Sequence, residues 1–276
     1  SIWNAYGADV TVVEMMSDVL PNEDKSISKE VRKLYRKNGI KILTESKVTK
    51  VETKGNKTLV TVDSKDSTAK LVCEYLLVAA GITPNSDKIG IEKTNVKLDE
   101  KGYIEIDGSM HTSEKGVYAI GDITGKPALA HVASAQGIIA AKDIAGIKTD
   151  PIVYENIPKC TYGFPETASA GLTEKQAAER GIDTKTSIFP FSANGKAIAF
   201  GTPEGFVKVI SGKKHGEILG IHMVGTHVTE MISGAVGYLA LECTVDELSD
   251  IIHPHPTMSE ALMEASHIAG GMPIHI

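Results

Sequence analysis

Apolar residues along this chain follow two spacings, and the changes between them mark out its elements. Over residues 26–38, Ile27, Val31 and Leu34 recur on one helical face, charges fill the other, and Asn38-Gly39 closes the helix. Ahead of it, Ile2, Trp3 and Ala5 read as the last turns of a helix ending near Gly7. Val10-Thr11-Val12-Val13-Glu14 follows as a β-branched strand with an acid at its end. Residues 40–43 predict a further strand. Three short ones, 47–52, 57–63 and 69–74, then form a meander turned at Gly55-Asn56 and Lys65-Asp66. The continuous apolar run 75–80 predicts a buried strand leading into Gly81-Ile82-Thr83-Pro84-Asn85. Gly102-Tyr103-Ile104 and Ile106 predict a short strand, and 117–122 a fully buried one ending in Gly121-Asp122. A long helix over 127–145, rich in Ala and Gly, completes this half.

After Pro151 the composition changes. Strands are predicted near 159–162, 169–172, 184–191, 206–210 and 218–224, with helices over 173–180, 230–241, 245–251 and 259–269. The first of these helices opens with the box Thr173-Glu174-Lys175-Gln176 and ends at Gly181. Strands without alternating crossover helices imply an antiparallel sheet. The fold class expected is α/β plus α+β: partial Rossmann-like NAD/FAD-binding regions followed by an antiparallel-sheet dimerisation domain. Residues 1–81, 82–150 and 151–276 form the three expected sections.

At 276 residues with 42% hydrophobic and 23% charged positions, the chain has the composition of a soluble globular protein. A net charge of −6 without a basic block argues against nucleic acid as a partner. The longest apolar runs, such as 76–82, are too short to cross a bilayer, and no secretory signal is visible. Cys73, Cys160 and Cys243 lie far apart, so no local redox pair or metal ribbon is expected, which fits a reducing cytoplasm. No metal site is predicted.

Helix end, strand and terminal acid reproduce the second half of a dinucleotide-binding βαβ unit. Its glycine-rich phosphate loop precedes the acid by about 20 residues. Counting back from Glu14 passes Ser1, so the chain reads as the C-terminal portion of a longer protein. Glu14 in that unit accepts hydrogen bonds from an adenosine ribose and favours NAD over NADP, while a solvated strand-end carboxylate explains it equally. Gly81 permits close approach of ligand or backbone at a strand end, or is a plain loop glycine. Asp122, after Gly121, suits a ligand rich in hydroxyls and faces a helix N-terminus, or serves as a turn residue.

Near the C-terminus, His253-Pro254-His255-Pro256-Thr257-Met258-Ser259-Glu260 sets two imidazoles on a stiff proline arm ahead of a helix. Glu260, five residues after His255, can turn back onto its ring, fixing the tautomer and raising basicity, as a general base requires. Thr257 and Glu260 equally form a capping box, and spacing alone favours the cap. Both roles draw on one carboxylate.

These motifs, with Ala79-Ala80-Gly81-Ile82-Thr83-Pro84-Asn85 and Val117-Tyr118-Ala119-Ile120-Gly121-Asp122, stand in the order found in the flavin-dependent disulfide oxidoreductases. Phe164-Pro165-Glu166, Ala170-Gly171-Leu172-Thr173-Glu174 and the closing His-Pro-His-Pro-Thr segment resemble its dihydrolipoamide dehydrogenase branch in particular, and the resemblance runs over essentially the whole chain. It implies flavin-mediated oxidation of dihydrolipoyl groups with NAD+ as acceptor. His255 is then the base and Glu260 its orienting acid. Asp122 and Gly121 meet the flavin ribityl chain, and Leu129, Ala130 and His131 its pyrimidine edge. Glu14, Val48 and Gly81 line the NAD site. The implied cofactors are FAD and NAD. The implied partners are a second copy, through 151–276, and the lipoyl domains of 2-oxo acid dehydrogenase or glycine cleavage complexes. The family's first FAD motif, its Cys-x-x-x-x-Cys pair and its NAD glycine loop are not among these residues, so the chain alone is expected to be inactive and to bind FAD weakly. The alternatives are another NAD(P)-dependent flavoprotein disulfide reductase and a non-catalytic dimerising module.

Overall fold

A computed structural model describes residues 1–276. The chain divides into two compact units, Ser1–Leu76 with Pro158–Ile276, and Leu77–Ile157.

The first unit opens with α1 (Ile2–Ala5), β1 (Thr11–Val13), α2 (Lys25–Lys37) and β2 (Lys41–Leu43), and β1 pairs with β2 in parallel. Asp24 starts α2 by accepting the Ser26 N–H at 3.0 Å, which satisfies a donor the helix cannot. An antiparallel meander follows: β3 (Ser46–Lys54), β4 (Lys57–Ser64) and β5 (Thr68–Cys73).

The later residues of this unit add β6 (Lys159–Thr161), β7 (Glu166–Gly171) and β8 (Thr184–Pro190). They continue with β9 (Phe206–Gly212) and β10 (Ile218–Gly225), giving an antiparallel sheet in the order β6-β7-β10-β9-β8. Side chains alternate across these strands, so the sheet has two different faces. On one, Ala168, Phe189, Val207, Val209, Ile221 and Met223 are buried. They pack against the helices following β10: residues Val228–Ala240, Val245–Asp250 and Glu260–Gly270. Each fully buried large side chain there, such as Phe189, contributes roughly 2–3 kcal/mol by leaving water. The opposite face carries the cross-strand row Ser169, His222 and Lys208. There α2 packs through Ile27 and Val31 against Val224, with Phe206 beside them.

The helix predicted over 173–180 forms as Glu174–Glu179, with both halves of its capping box made between Thr173 and Gln176. A short helix over Gly195–Phe200 was not predicted. Its six residues are too few to show a helical period, and it is set by Asn194, whose side chain accepts the Ala197 N–H.

In the second unit the one long helix, Ala130–Ile144, starts three residues later than predicted, because Pro127 and Ala128 precede the N-cap Leu129. Two predicted strands do not form. Residues 75–80 make no ladder and are solvent-exposed, with Tyr75 and Val78 largely bare. Residues 117–122 make only one bridge, His111 to Tyr118, and Val117 and Ile120 are exposed although Ala119 is buried. Likewise 102–106 is reduced to a bridge between Leu98 and Ile104. A strand exists only where a neighbour takes its backbone groups, and an apolar run without one leaves them to water. No helix is long and apolar enough to cross a membrane.

Numbering the helices in chain order, Ala130–Ile144 is α3, Glu174–Glu179 α4 and Gly195–Phe200 α5. Val228–Ala240 is α6, Val245–Asp250 α7 and Glu260–Gly270 α8.

Candidate active site

The proline arm 253–257 enters α8 with its N-cap at Ser259, one residue before Glu260. Glu260 turns back along the arm and divides its carboxylate. Oε1 lies 2.8 Å from Nδ1 of His255, and Oε2 accepts the Thr257 N–H at 2.8 Å. The helix-start bond and the imidazole bond therefore do not compete, because a carboxylate has two oxygens. The Thr257 hydroxyl turns elsewhere and donates to the Pro254 carbonyl at 2.8 Å, so the box is half-made.

Exposure separates the partners: the His255 side chain is 77% exposed and that of Glu260 18%. Partial burial works against the charged form of Glu260. The Thr257 N–H and the His255 ring nevertheless hold its carboxyl below the usual range. The pair is thus a fixed carboxylate behind a ring that solvent reaches. His253 is tied differently, with Nδ1 2.9 Å from the Ile251 carbonyl.

Glu14, also in the first unit, ends β1 as predicted, and its N–H donates to the Leu43 carbonyl at 2.8 Å. Its Oε1 accepts the Met16 N–H at 2.8 Å, so Oε2 is the oxygen available to a ligand hydroxyl. Val48 stands on β3, exposed, at the irregularity between Val48 and Lys50.

The second unit holds the rest. Gly81 has φ +111 with open space where a Cβ would stand, so its backbone angle, and no crowding, favours glycine. Gly121 has φ +78, and Asp122 opens a single 3-10 turn, exposed and with no hydrogen bond to its carboxylate. Leu129 caps α3 without a side-chain bond, and Ala130 and His131 form its exposed first turn. An uncapped helix start beside a free carboxylate and small residues (Gly121, Ala130, Ala133) suits a ligand carrying both hydroxyls and an acceptor-rich edge. Those features fit a flavin. Sequence reading overlooked one residue here: Gln136 on α3, fully buried, accepts the Gly121 N–H at 2.6 Å. The available signal was a single amide in an otherwise Ala-, Gly- and Ile-rich stretch.

Residues 1–137 match the family described as pyridine nucleotide-disulphide oxidoreductase, and residues 157–266 match its dimerisation domain. The dihydrolipoyl dehydrogenase of Corynebacterium glutamicum is 44% identical over 273 residues, covering 97% of this chain and 58% of that protein. The Bacillus subtilis dihydrolipoyl dehydrogenase is 43% identical over 277 residues, covering 100% of this chain and 58% of that protein. The chain thus spans somewhat over half the length of these relatives. Among solved structures, LpdA from Mycobacterium tuberculosis matches with TM-score 0.88 and 26% identity over 96% of this chain and 57% of that one. The HOCl-induced flavoprotein disulfide reductase RclA from Escherichia coli, as its Cu(II) complex, matches with TM-score 0.89 and 26% identity, over 97% of this chain and 60% of that one. With both of its main sections matched, the chain belongs to the pyridine nucleotide-disulphide oxidoreductase family.

Proposed function

We propose that this chain works in a flavin-dependent dihydrolipoyl dehydrogenase, with His255 as the base and Glu260 as the acid that orients it. The observation that carries the reading is the 2.8 Å bond from Glu260 to Nδ1 of an otherwise exposed ring. That bond fixes the proton on Nδ1 and leaves the Nε2 lone pair for a substrate thiol. Taking the thiol proton makes the thiolate, which is the nucleophile in disulfide exchange. Overall, a dithiol and NAD+ give a disulfide, NADH and a proton.

A bound flavin would supply the electron path between dithiol and nicotinamide. Asp122 would hold its ribityl hydroxyls, Gly121 would allow the approach, and the chain at Leu129, Ala130 and His131 would meet the pyrimidine edge. Residues 1–276 by themselves would hold FAD weakly, with little flavin in the visible spectrum. Glu14 would take an adenosine ribose hydroxyl of NAD through Oε2, with Val48 along the same cofactor. A second copy of the chain would pair through 151–276, so that His255 and Glu260 of one subunit complete the site of the other. Lipoyl domains of 2-oxo acid dehydrogenase or glycine cleavage complexes would be the partners, in the cytoplasm. The 44% identity to a dihydrolipoyl dehydrogenase, against 26% to RclA, supports this reading over that of another flavoprotein disulfide reductase.

His255→Gln in the holoenzyme tests it. Dihydrolipoamide-dependent NAD+ reduction should fall about 100-fold or more, as removal of a general base does, while FAD content stays unchanged. Loss of FAD with retained turnover per flavin would make His255 structural and sink the assignment.

A further inference from the structure

We infer that Gln136 is a positioning residue that locks the Gly121–Asp122 turn. The inference rests on the proposed flavin site only for its use, and on the hydrogen bonds below for its geometry. Gly121 lies outside any regular strand, yet both halves of its backbone are tied. Its N–H donates to Gln136 Oε1 at 2.6 Å. Its carbonyl accepts from the Thr124 hydroxyl at 2.8 Å and from the Thr124 N–H at 3.0 Å. The ring of bonds closes through the amide nitrogen, since Gln136 Nε2 donates to Thr124 Oγ1 at 3.4 Å and to the Tyr154 hydroxyl at 3.0 Å.

The chemistry fixes the amide's orientation. A backbone N–H can only donate, so the carbonyl oxygen must face Gly121 and the NH2 must face the two hydroxyls. A buried apolar side chain would fill the space but leave the Gly121 N–H without its acceptor. A shorter Asn would not reach from α3. Gly121 needs such a tie because its φ of +78 belongs to a region that offers no strand ladder. With both Gly121 groups held, the next residue leaves the turn in one direction, so the exposed Asp122 carboxylate is presented by a buried amide fourteen positions later in the chain. Gly121 also sits against Ala133 on the same helix, one turn before Gln136, and a Cβ there would stand 3.5 Å from that of Ala133. Helix α3 thus sets the turn by contact and by hydrogen bond together.

The test is amide hydrogen exchange of the 15N-labelled 276-residue protein. In the wild type, Gly121 should exchange at least tenfold more slowly than Gly116, a loop glycine whose N–H has no acceptor in the chain. Equal rates would overturn the inference before any variant is made. Gln136→Met should bring Gly121 to the Gly116 rate and move its proton signal upfield. Gln136→Glu keeps an oxygen at the same reach and should restore slow exchange. Met leaving Gly121 protected, or Glu behaving as Met does, would reduce Gln136 to packing and overturn the inference. FAD titration of Asp122→Asn in the full-length apoenzyme separates the two readings. Affinity unchanged by that substitution removes the flavin assignment, while the Gly121 result stands or falls by itself.

Discussion

Two charge assemblies in the first unit use the same materials in opposite surroundings. Lys208 on β9 has its ammonium 2.6 Å from Asp24 Oδ1 and 2.6 Å from Glu174 Oε2, and its side chain is 1% exposed. His255 meets Glu260 at a similar distance, but with its ring open to solvent. In both places burial raises the carboxyl and the hydrogen bonds it accepts lower it, and in both the bonds prevail. Asp24 is held well below the usual carboxylate range against its burial by Lys208 and by the Ser26 hydroxyl and N–H. Glu260 is held down by the Thr257 N–H and by His255. The difference is in what each nitrogen can still do. Lys208 spends its charge on two carboxylates from chain segments 150 residues apart, one capping α2 and one in the first turn of α4, which also donates its N–H to Asp24 at 3.2 Å. His255 spends one nitrogen and keeps the other. Burial makes an ion pair a tie between segments, and exposure leaves a base that a substrate can reach.

The comparison can be broken most severely at Lys208. Lys208→Met should cost about 3–5 kcal/mol in urea unfolding, because it leaves the Asp24 carboxylate buried without its cation. Adding Asp24→Asn, which keeps a capping oxygen, should return part of that loss. A cost below about 1 kcal/mol for the single variant would mean that Asp24 is solvated and the tie is weak.

His222 sits beside Lys208 on β10, and its acid response is smaller but has a definite sign. Burial pushes its ring below the ordinary histidine range, and Nε2 donates to the Leu172 carbonyl at 2.9 Å while Nδ1 has no partner. The folded state therefore holds His222 neutral, whereas the unfolded chain takes up a proton below about pH 6.5. Its contribution to stability is present above that pH and declines as pH falls through it, by at most about 1.4 kcal/mol per unit. His222→Asn should flatten the curve between pH 7 and 5 relative to wild type. Parallel curves would show that the folded protein protonates this ring freely.

The smallest effect belongs to the exposed pair. Glu260→Gln should change stability by about 1 kcal/mol or less, since one amide oxygen can still accept the Thr257 N–H and the other bond is at the surface. It should nonetheless remove the carboxylate from Nδ1, so that the His255 Nδ1–H signal in low-temperature proton spectra is lost. A stability loss as large as that of Lys208→Met would erase the distinction between the two assemblies.

Sequence by itself determined whatever depends on near neighbours. The helical spacing of Ile27, Val31 and Leu34, the Thr173–Gln176 box, the turns of the meander and the five strands after Pro151 are all local patterns, and all of them form. The proline arm and its distance to Glu260 were legible too. Only the structure showed that one carboxylate serves both His255 and Thr257, because that follows from how two oxygens are aimed and not from residue spacing. Tertiary structure alone decided the fate of the apolar runs 75–80 and 117–122, since a strand is a property of its neighbours as much as of itself. It alone brought Asp24, Glu174 and Lys208 to one point, and Gln136 to Gly121. Those contacts join residues whose separation follows no helical or strand period, and only the packed chain sets them.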